Sequence, residues 1–332
     1  GGLGFIGSNL IRFLLKKNKH EILNLDKITY ASNTFSNKYF CSNKLYRFVK
    51  GDISNKSLLK DLLEDYRPDF IMNLAAESHV DKSIDKPDSF INTNIVGTFN
   101  LLSVSRDYWE NLKGDKKNKF RFHHISTDEV FGSIDDKKLF TENSPYNPSS
   151  PYAASKASSD HLVRSWHKTY KFPILISNCS NNYGPYQFPE KLIPLVILNA
   201  LRNRKIPIYG DGLQVRDWLY VEDHVKALYQ IIMNGRIGET YNIGGNNQIK
   251  NIDIVNIICD YLDKELKGDE IYSSSYRKLI YYVEDRPGHD ICYGINAKKI
   301  KKELNWEPET IFERGIKKTI NWYISNKFLY NS

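Results

Sequence analysis

Long hydrophobic runs and paired cysteines are the two features that this sequence lacks. No stretch of its 332 residues approaches the roughly 18 consecutive apolar positions that a membrane-spanning helix needs. The four cysteines lie far apart, with no Cys-x-x-Cys pair and no metal-ligand spacing: Cys41, Cys179, Cys259 and Cys292. The sequence therefore predicts a cytoplasmic protein with reduced cysteines, no bound metal and no membrane contact.

The excess of positive charge does not form the basic patch of a nucleic-acid-binding protein. The formal net charge is +8, but the lysines are scattered or lie in short runs, such as residues 113–119, among Asn and Asp. Such runs are typical of a solvated surface, so we predict no nucleic-acid partner. The positive balance instead favours an anionic small-molecule substrate.

Three glycines open the sequence at the spacing of a dinucleotide-binding loop. Gly1, Gly4 and Gly7 form a Gly-x-x-Gly-x-x-Gly motif that leads into an amphipathic helix, whose positive N-terminus attracts a pyrophosphate. Asp26 follows Gly7 by 19 residues, at the end of a strand-like run. Its carboxylate would accept hydrogen bonds from a ribose 2′-hydroxyl and repel a 2′-phosphate. The motif therefore predicts NAD rather than NADP as the cofactor.

Strand-like and helical patterns alternate through the first half of the chain. The strand-like runs are residues 21–26, 46–49, 70–74, 121–125 and 174–177, and helical runs at residues 56–66, 91–108 and 154–170 lie between them. This alternation predicts an α/β fold of the Rossmann type with a doubly wound parallel sheet. A Rossmann loop follows a central strand and no residue precedes Gly1, so we expect the first strand to be missing and the sequence to be a piece of a longer chain.

The second half of the chain has a looser pattern. Loops rich in Gly, Pro, Asn and Tyr alternate there with short helices, such as residues 192–202 and 253–262. We predict that residues 1–182 form the NAD-binding domain and that residues 183–332 form mostly a smaller α/β substrate-binding domain. Residues 216–244 again show a strand followed by a helix, and we expect them to return to the NAD-binding domain.

Two clusters of polar residues are candidates for catalysis. Tyr152 and Lys156 lie four residues apart in a helical run, on one face of the helix. A nearby ammonium and a cationic nicotinamide would lower the pKa of the phenol, so that Tyr152 acts as a base. Thr127, Asp128 and Glu129 follow the strand-like run 122–125, at the strand end where α/β sheets place active sites.

At these residues the chain resembles the extended short-chain dehydrogenase/reductase family, and within it the nucleotide-sugar dehydratases. The resemblance runs from Gly1 to about Tyr323. Besides Tyr152 and Lys156 it is carried by residues 74–81 (LAAESHVD), 126–132 (STDEVFG), 178–185 (NCSNNYGP), 216–224 (RDWLYVEDH) and 285–290 (DRPGHD). The adjacent pair Asp128 and Glu129 is the most specific feature, since related epimerases lack it.

The resemblance implies that the protein is a lyase, and it also implies a reaction. We expect a homodimer that dehydrates dTDP-glucose to dTDP-4-keto-6-deoxyglucose while NAD stays bound. The resemblance implies that Tyr152 takes the proton from the C4 hydroxyl, Glu129 takes the C5 proton and Asp128 protonates the departing C6 hydroxyl. Lys156 would orient and polarise, and Thr127 would hydrogen-bond the sugar near C4.

The glycine loop and the resemblance together imply two sets of binding residues. Those expected to contact NAD are Gly1, Gly4, Phe5, Ile6, Gly7, Asp26, Lys27, Ile28, Thr29, Asp52, Ile53, Leu74, Ala75, Ala76, Ser78, Thr93, Tyr152, Lys156 and Asn182. Those expected to contact the nucleotide sugar are Ser78, Thr127, Asn181, Lys191, Leu192, Pro207, Tyr209, Arg216, Asn251, Arg286 and His289. A guanidinium suits a pyrophosphate because its donor fork is bidentate, although Arg216 or Arg286 could instead form a surface ion pair.

Two other functions remain open from the sequence. A nucleotide-sugar 4-epimerase would also use Tyr152, Lys156 and NAD, but it would not need a carboxyl pair for elimination across C5 and C6. A non-catalytic NAD-binding sensor would be expected to lose the tyrosine or the lysine, and both are present.

Overall fold

The computed structural model describes residues 1–134, 139–266 and 275–330. The strands are β1 (Ile22–Asp26), β2 (Tyr46–Lys50), β3 (Phe70–Asn73), β4 (Arg121–Thr127), β5 (Ile174–Cys179), β6 (Asn181–Tyr183), β7 (Ile206–Tyr209), β8 (Val215–Tyr220), β9 (Thr240–Ile243), β10 (Gln248–Lys250) and β11 (Ile280–Val283). The helices are α1 (Phe5–Lys17), α2 (Thr34–Phe40), α3 (Lys56–Tyr66), α4 (Val80–Asp85), α5 (Asp88–Phe90), α6 (Thr98–Asn111), α7 (Gly114–Lys119), α8 (Pro151–Tyr170), α9 (Leu192–Leu201), α10 (Val221–Asn234), α11 (Asn251–Glu265), α12 (Lys298–Leu304) and α13 (Phe312–Ser325).

Parallel strands form the centre of the molecule. One sheet has the order β3-β4-β5-β9, and β1 pairs with β2 beside it; every one of these pairings is parallel. All six residues of β5 are buried, as expected of a strand with helices on both faces of its sheet. The predicted Rossmann-type α/β fold is therefore confirmed.

A groove separates the two sets of parallel strands. Among the described residues β1 pairs only with β2, and β3 pairs only with β4, so one edge of each faces the other. A cavity of about 510 Å³ lies between these edges, lined by apolar side chains that include Leu25, Ile71 and Met72. In a doubly wound sheet neighbouring parallel strands are hydrogen-bonded across such a position, so the groove interrupts the sheet at this point.

The second half of the chain forms another group of strands and helices. β8 pairs in parallel with β6 and antiparallel with β10, and β11 pairs in parallel with β7. Helices α9, α11 and α13 pack on a core that includes Tyr183, Trp218 and Ile254. Among the residues that the structure describes, no helix is both long enough and apolar enough to cross a membrane.

The helix predicted over residues 91–108 has a different form at its start. Residues Ile91–Gly97 are a π-helical segment, and the α-helix α6 begins only at Thr98. Within this segment the Asn94 amide accepts a hydrogen bond from Glu77 N (2.9 Å) and donates to Ser155 Oγ (2.8 Å), which joins it to α8. Hydrophobic periodicity could not predict the change, because it does not distinguish the two hydrogen-bond patterns over seven residues.

Candidate active site

One cavity lies at the carboxyl ends of β1, β3, β4 and β5. Its volume is about 300 Å³, and all five predicted catalytic residues line it. Every residue predicted to contact NAD also lines it, with the exception of Ile28. Ile28 instead donates its backbone N–H to Asp26 Oδ1 (2.8 Å), in a left-handed conformation with φ of 57° that β-branched residues rarely adopt.

The glycine loop and α1 form the part of the cavity that suits a pyrophosphate. A Cβ atom at Gly7 would lie 2.4 Å from the carbonyl oxygen of Gly1, so only glycine permits the start of α1 to pack this close to the loop. Gly4 precedes the helix, and no side chain caps it. The first-turn N–H groups of α1 are therefore left for an anion.

Asp26 holds the loop from the end of β1. Its Oδ2 atom accepts a hydrogen bond from Leu3 N (2.9 Å), and its Oδ1 atom accepts from Ile28 N and from Ser32 Oγ (3.3 Å). A carboxylate offers about four acceptor positions, so capacity remains for a ribose hydroxyl. Asp26 thus lies where the sequence predicted it, with a second task in fixing the loop that the sequence did not indicate.

Lys27 forms ion pairs and a hydrogen bond with several residues on the same side of the cavity. Lys27 Nζ lies 2.9 Å from Glu77 Oε1 and 3.9 Å from Asp52 Oδ2, and it donates to Thr93 Oγ1 (3.0 Å). The ends of β1, β2 and β3 and the π-helical segment are joined through this one ammonium.

The tyrosine and the lysine of α8 are both buried at the cavity. α8 begins at Pro151 after Ser150, whose side chain accepts a hydrogen bond from Ala153 N (3.1 Å). The Lys156 ammonium donates to the carbonyl oxygen of Ile125 (2.8 Å), which joins it to β4. The helix therefore places both side chains beside the end of the strand that carries Thr127.

The surroundings of Tyr152 act on the pKa of its phenol. Burial raises the pKa of Tyr152 well above its usual value, and the charge of Glu129 raises it further. Burial also lowers the pKa of Lys156. Desolvation and a nearby carboxylate therefore set the direction of the Tyr152 pKa in the protein alone, and the lowered pKa predicted for the phenol beside both an ammonium and a cationic nicotinamide stays a prediction.

The three residues after β4 form a short turn held by a threonine. Thr127 Oγ1 accepts a hydrogen bond from Glu129 N (3.3 Å) and donates to Asp128 Oδ1 (3.4 Å). The other oxygen of Asp128 is buried and has no hydrogen-bond partner among the described residues, as expected of an atom that receives a ligand. The turn therefore points two carboxyl groups and a hydroxyl at one region of the cavity.

The two carboxyl groups differ in their surroundings. Burial raises the pKa of Asp128 well above its usual value, and the charges of Glu129 and Asp217 add to the rise. Burial also raises the pKa of Glu129, but the cations Lys191, Arg286 and Arg216 oppose that rise. Burial, rather than the adjacency of the two carboxyl groups, is therefore the main cause of both rises in pKa.

The residues predicted to hold the nucleotide sugar fall into two groups. Ser78, Thr127, Asn181 and Lys191 line the cavity, and Lys191 Nζ donates to the carbonyl oxygen of Ser78 (2.8 Å). The other seven do not line it: Leu192, Pro207, Tyr209, Arg216, Asn251, Arg286 and His289. They lie on β7, β8, α9, α11 and the loop after β11. The site that the resemblance implies is therefore larger than the cavity.

The two arginines among those seven are held by other protein groups. Arg286 Nη1 lies 3.0 Å from Asp81 Oδ1 in a partly buried ion pair. Arg216 is buried, donates to the carbonyl oxygen of Asp290 (2.9 Å) and lies over the ring of Tyr293. Both guanidinium groups nevertheless lower the pKa of Glu129, so their charge acts on the catalytic side of the cavity.

Sequence interpretation missed several residues that line the cavity: Leu25, Ala31, Ser32, Gly51, Ile125, Ser126, Cys179, Ser180, Gln187, Phe188 and Glu190. Most of them are neighbours of predicted residues along the chain, and adjacency could have found them. Gln187 and Phe188 could not be found in this way, whereas Glu190 directly precedes the predicted Lys191. All three reach the cavity through a loop in which Glu190 lies 3.3 Å from Lys82 Nζ on α4 and accepts from Tyr30 OH (3.3 Å).

Comparison with known proteins agrees with this geometry. Residues 1–319 match the family model described as GDP-mannose 4,6 dehydratase. The dTDP-glucose 4,6-dehydratase of Salmonella typhimurium is 55% identical, over 98% of this chain and 92% of that protein. The dTDP-glucose 4,6-dehydratase 1 of Escherichia coli K12 is 54% identical over the same shares of the two chains. This chain belongs to the dTDP-glucose 4,6-dehydratase family.

Solved structures of this dehydratase family have the same fold. The dTDP-glucose 4,6-dehydratase DesIV of Streptomyces venezuelae, solved with NAD bound, has a TM-score of 0.89 and 40% identity over 99% of this chain and 96% of its own. A UDP-glucose 4-epimerase of Thermotoga maritima has a TM-score of 0.84 but only 25% identity, over 98% of each chain. The fold is therefore common to dehydratases and epimerases, and sequence identity favours the dehydratases.

Proposed function

We infer that this protein is an NAD-dependent lyase that converts dTDP-glucose to dTDP-4-keto-6-deoxyglucose by removing water. The observation that carries this conclusion is the carboxyl pair Asp128 and Glu129, which lines the same cavity as Tyr152 and Lys156. Relatives more than half identical to this chain are named for this reaction. The test is to incubate the protein and NAD with dTDP-glucose and other nucleotide hexoses and to weigh each product for the loss of one water.

The residues of the cavity fit NAD. The close-packed Gly7, the uncapped start of α1 and the carboxylate of Asp26 suit its pyrophosphate and ribose. NAD, when bound, supplies a hydride acceptor at C4 of the sugar and a hydride donor at C6. We assign the contacts with NAD to the cavity-lining residues of the predicted set.

Replacing Asp26 tests its predicted role in binding NAD. Asp26→Ala removes the ribose acceptor and the loop contacts together, so we expect the affinity for NAD to fall by roughly 1.5–3 kcal/mol, the range for hydrogen bonds to a charged group. NADP should lose less, because the carboxylate repels its 2′-phosphate in the parent protein. Calorimetric titration with both nucleotides measures the difference.

Asp26→Asn is the matched control for this change, since it keeps the shape and one acceptor for Leu3 N but has no charge. It should preserve the melting temperature better than Asp26→Ala while still narrowing the preference for NAD. A parent protein that prefers NADP would contradict the assignment of Asp26.

We assign the first step to the residues of α8. Tyr152 takes the proton of the C4 hydroxyl, and Lys156 orients the phenol and favours its ionised form. The Thr127 hydroxyl hydrogen-bonds the sugar near C4. Protein groups raise the pKa of Tyr152, and the positive charge of NAD, when bound, would favour the ionised phenol.

We assign the elimination to the carboxyl pair. The ketone at C4 acidifies the C5 proton, which Glu129 removes, while Asp128 gives a proton to the C6 hydroxyl so that it leaves as water. The raised pKa of Asp128 suits an acid that must hold its proton, and the three cations near Glu129 favour an ionised base. C5 then regains a proton.

The substrate diphosphate is assigned to the arginines. Arg286→Ala and Arg216→Ala should each weaken dTDP-glucose binding by roughly 1.5–3 kcal/mol, as for other hydrogen bonds to charged groups, and leave NAD binding nearly unchanged. Arg277→Ala is the control, because Arg277 forms an exposed ion pair with Asp260. Unaltered substrate affinity in both Arg286→Ala and Arg216→Ala would show that the two arginines have only a structural role.

We further propose a homodimer and the domain division given by the sequence, with residues 1–182 and 216–244 binding NAD and most of residues 183–332 binding the sugar nucleotide. Support for a dimer comes from a row of exposed apolar side chains on the π-helical segment and the start of α6: Ile91, Val96 and Phe99. A second copy of the chain would cover this row. Sedimentation equilibrium tests the assembly.

A further inference from the structure

Helix α8 carries a third polar side chain in register with the two already described. Tyr152, Lys156 and Asp160 follow one another at four-residue intervals, which places them along one face of the helix. The first two line the cavity, whereas Asp160 lies one turn further along α8 and is completely buried. A buried carboxylate is costly unless its surroundings compensate for the lost water, so its contacts indicate what it does.

The Asp160 carboxylate joins α8 to the ends of two strands. Its Oδ2 atom accepts hydrogen bonds from Ser126 Oγ (2.9 Å), Tyr146 OH (2.8 Å) and Asn178 Nδ2 (3.2 Å). Ser126 lies on β4 directly before Thr127, and Asn178 on β5 also donates to the carbonyl oxygen of Thr127 (3.0 Å). The carboxylate therefore fixes the strand end that presents the catalytic turn.

Asp160 also lies among cations. Burial acts to raise its pKa, but hydrogen bonding and charge from His124, followed by the charges of Lys156 and Arg164, bring the pKa below its usual value. Burial lowers the pKa of His124 to about 4, so this histidine is neutral at physiological pH. Lys156 and Arg164 are then the cations that balance the carboxylate.

The ammonium of Lys156 has the complementary requirement. It is almost fully buried, and its one hydrogen bond within the part of the chain that the structure describes is to the carbonyl oxygen of Ile125, which is neutral. An ammonium removed from water is stable only with a compensating negative charge nearby. Burial lowers the pKa of Lys156, and Asp160 is the principal group that raises it again.

We propose that Asp160 is a positioning residue of the dehydratase: its buried carboxylate keeps the Lys156 ammonium charged beside Tyr152 and ties α8 to the strand end that carries Thr127. The proposal rests on the role given to Lys156 above. It adds a carboxylate that touches neither sugar nor cofactor and acts through the lysine. The four-residue spacing Tyr-x-x-x-Lys-x-x-x-Asp places the base, the cation and its counter-charge on one rigid element.

The proposal makes a statement about pH. The titratable groups around Lys156 are Tyr152 and Asp160 on α8, His124 on β4 and Cys179 on β5, and the pair 128–129 lines the same cavity. Removing the one carboxylate behind the lysine lowers the pKa of Lys156. The ammonium is then lost at a lower pH, so the alkaline limb of the kcat profile moves to lower pH.

Asp160→Asn keeps the shape of the side chain and removes its charge. We expect the alkaline limb of kcat to move down by about one pH unit or more, which corresponds to about 1.4 kcal/mol in the pKa of the lysine. The KM for dTDP-glucose should change by less than about threefold, because Asp160 does not touch the substrate. Asp160→Glu restores the charge and should return the limb towards the parent position.

Tyr146→Phe is the matched control, since it removes one hydrogen bond to Asp160 without removing charge. A merely structural Asp160 would lower the melting temperature in Asp160→Asn and Tyr146→Phe alike and leave both pH limbs in place. An Asp160→Asn limb that coincides with the parent limb overturns the proposal. Lys156→Met separates this result from a failure of the site itself, because parent activity in that variant would contradict the role of the lysine.

A direct measurement covers the case in which Asp160→Asn does not fold. The parent protein with ¹³C-labelled lysine side chains is titrated by NMR, and the Lys156 signal is identified by its loss in Lys156→Arg. The proposal requires Lys156 to remain protonated at about pH 8, near the values at which exposed lysines are fully charged. A neutral Lys156 at that pH overturns it.

Discussion

Asp128→Asn and Glu129→Gln are each expected to slow the loss of water by roughly 10²–10⁴-fold, the usual contribution of general acid–base catalysis. Asparagine can still hydrogen-bond the C6 hydroxyl but cannot protonate it, and glutamine cannot accept the C5 proton. Oxidation at C4 does not use either group. Reduced-nicotinamide absorbance should therefore appear on mixing with dTDP-glucose and persist longer than in the parent protein.

The two measurements are the mass of the product and the transient absorbance, made on the same samples. Asp107→Asn on the exposed face of α6 is the matched control, because it makes the same chemical change far from the cavity. Both measurements on that variant should equal those of the parent. If Asp128→Asn and Glu129→Gln dehydrate at the parent rate, the carboxyl pair has no part in elimination and the epimerase alternative regains its support.

Tyr152→Phe is expected to have an effect of similar size at an earlier step. Without the phenol the C4 hydroxyl has no base, so turnover should fall by roughly 10²–10⁴-fold and no reduced nicotinamide should accumulate. This absence distinguishes the variant from Asp128→Asn, in which the absorbance persists. Stopped-flow absorbance on mixing with dTDP-glucose makes the comparison directly.

The pH dependence of the parent protein adds to this prediction. The pKa of Tyr152 is raised, so the phenolate is favoured as pH rises and the rate of C4 oxidation should increase with it. Tyr152→Phe should lose this dependence. Tyr170→Phe, at the exposed end of the same helix, should retain it. A Tyr152→Phe protein that still reduces its cofactor at the parent rate would assign the base to another group.

Much of the fold and of the catalytic centre could be predicted from the sequence because both depend on local patterns. Alternating strand-like and helical runs predicted the parallel sheet. The spacing of Gly1, Gly4 and Gly7 indicates which residues share a turn. The spacing of Tyr152 and Lys156 indicates which side chains share a helix face. The structure brings these groups together at the carboxyl ends of the strands, as the α/β rule requires.

What could not be predicted depends on burial and on contacts between distant segments. The pKa of Tyr152 is set by desolvation, which no motif reports. Gln187 and Phe188 reach the cavity through loop geometry, and Arg286 is held by Asp81, 205 residues away along the chain. The role of Asp160 was likewise hidden, since its four-residue spacing from Lys156 has meaning only when both are known to be buried.

The contacts of Asp26 limit how easily the cofactor of this enzyme can be exchanged, in the laboratory or in evolution. The carboxylate that would exclude a 2′-phosphate also holds the backbone of Leu3 and Ile28. A substitution that admits NADP therefore loosens the loop that must bind it. A redesign for NADP would first have to supply new hydrogen-bond acceptors for the loop and only then remove the negative charge of residue 26. The preference for NAD is therefore difficult to change without destabilising the loop that binds the cofactor.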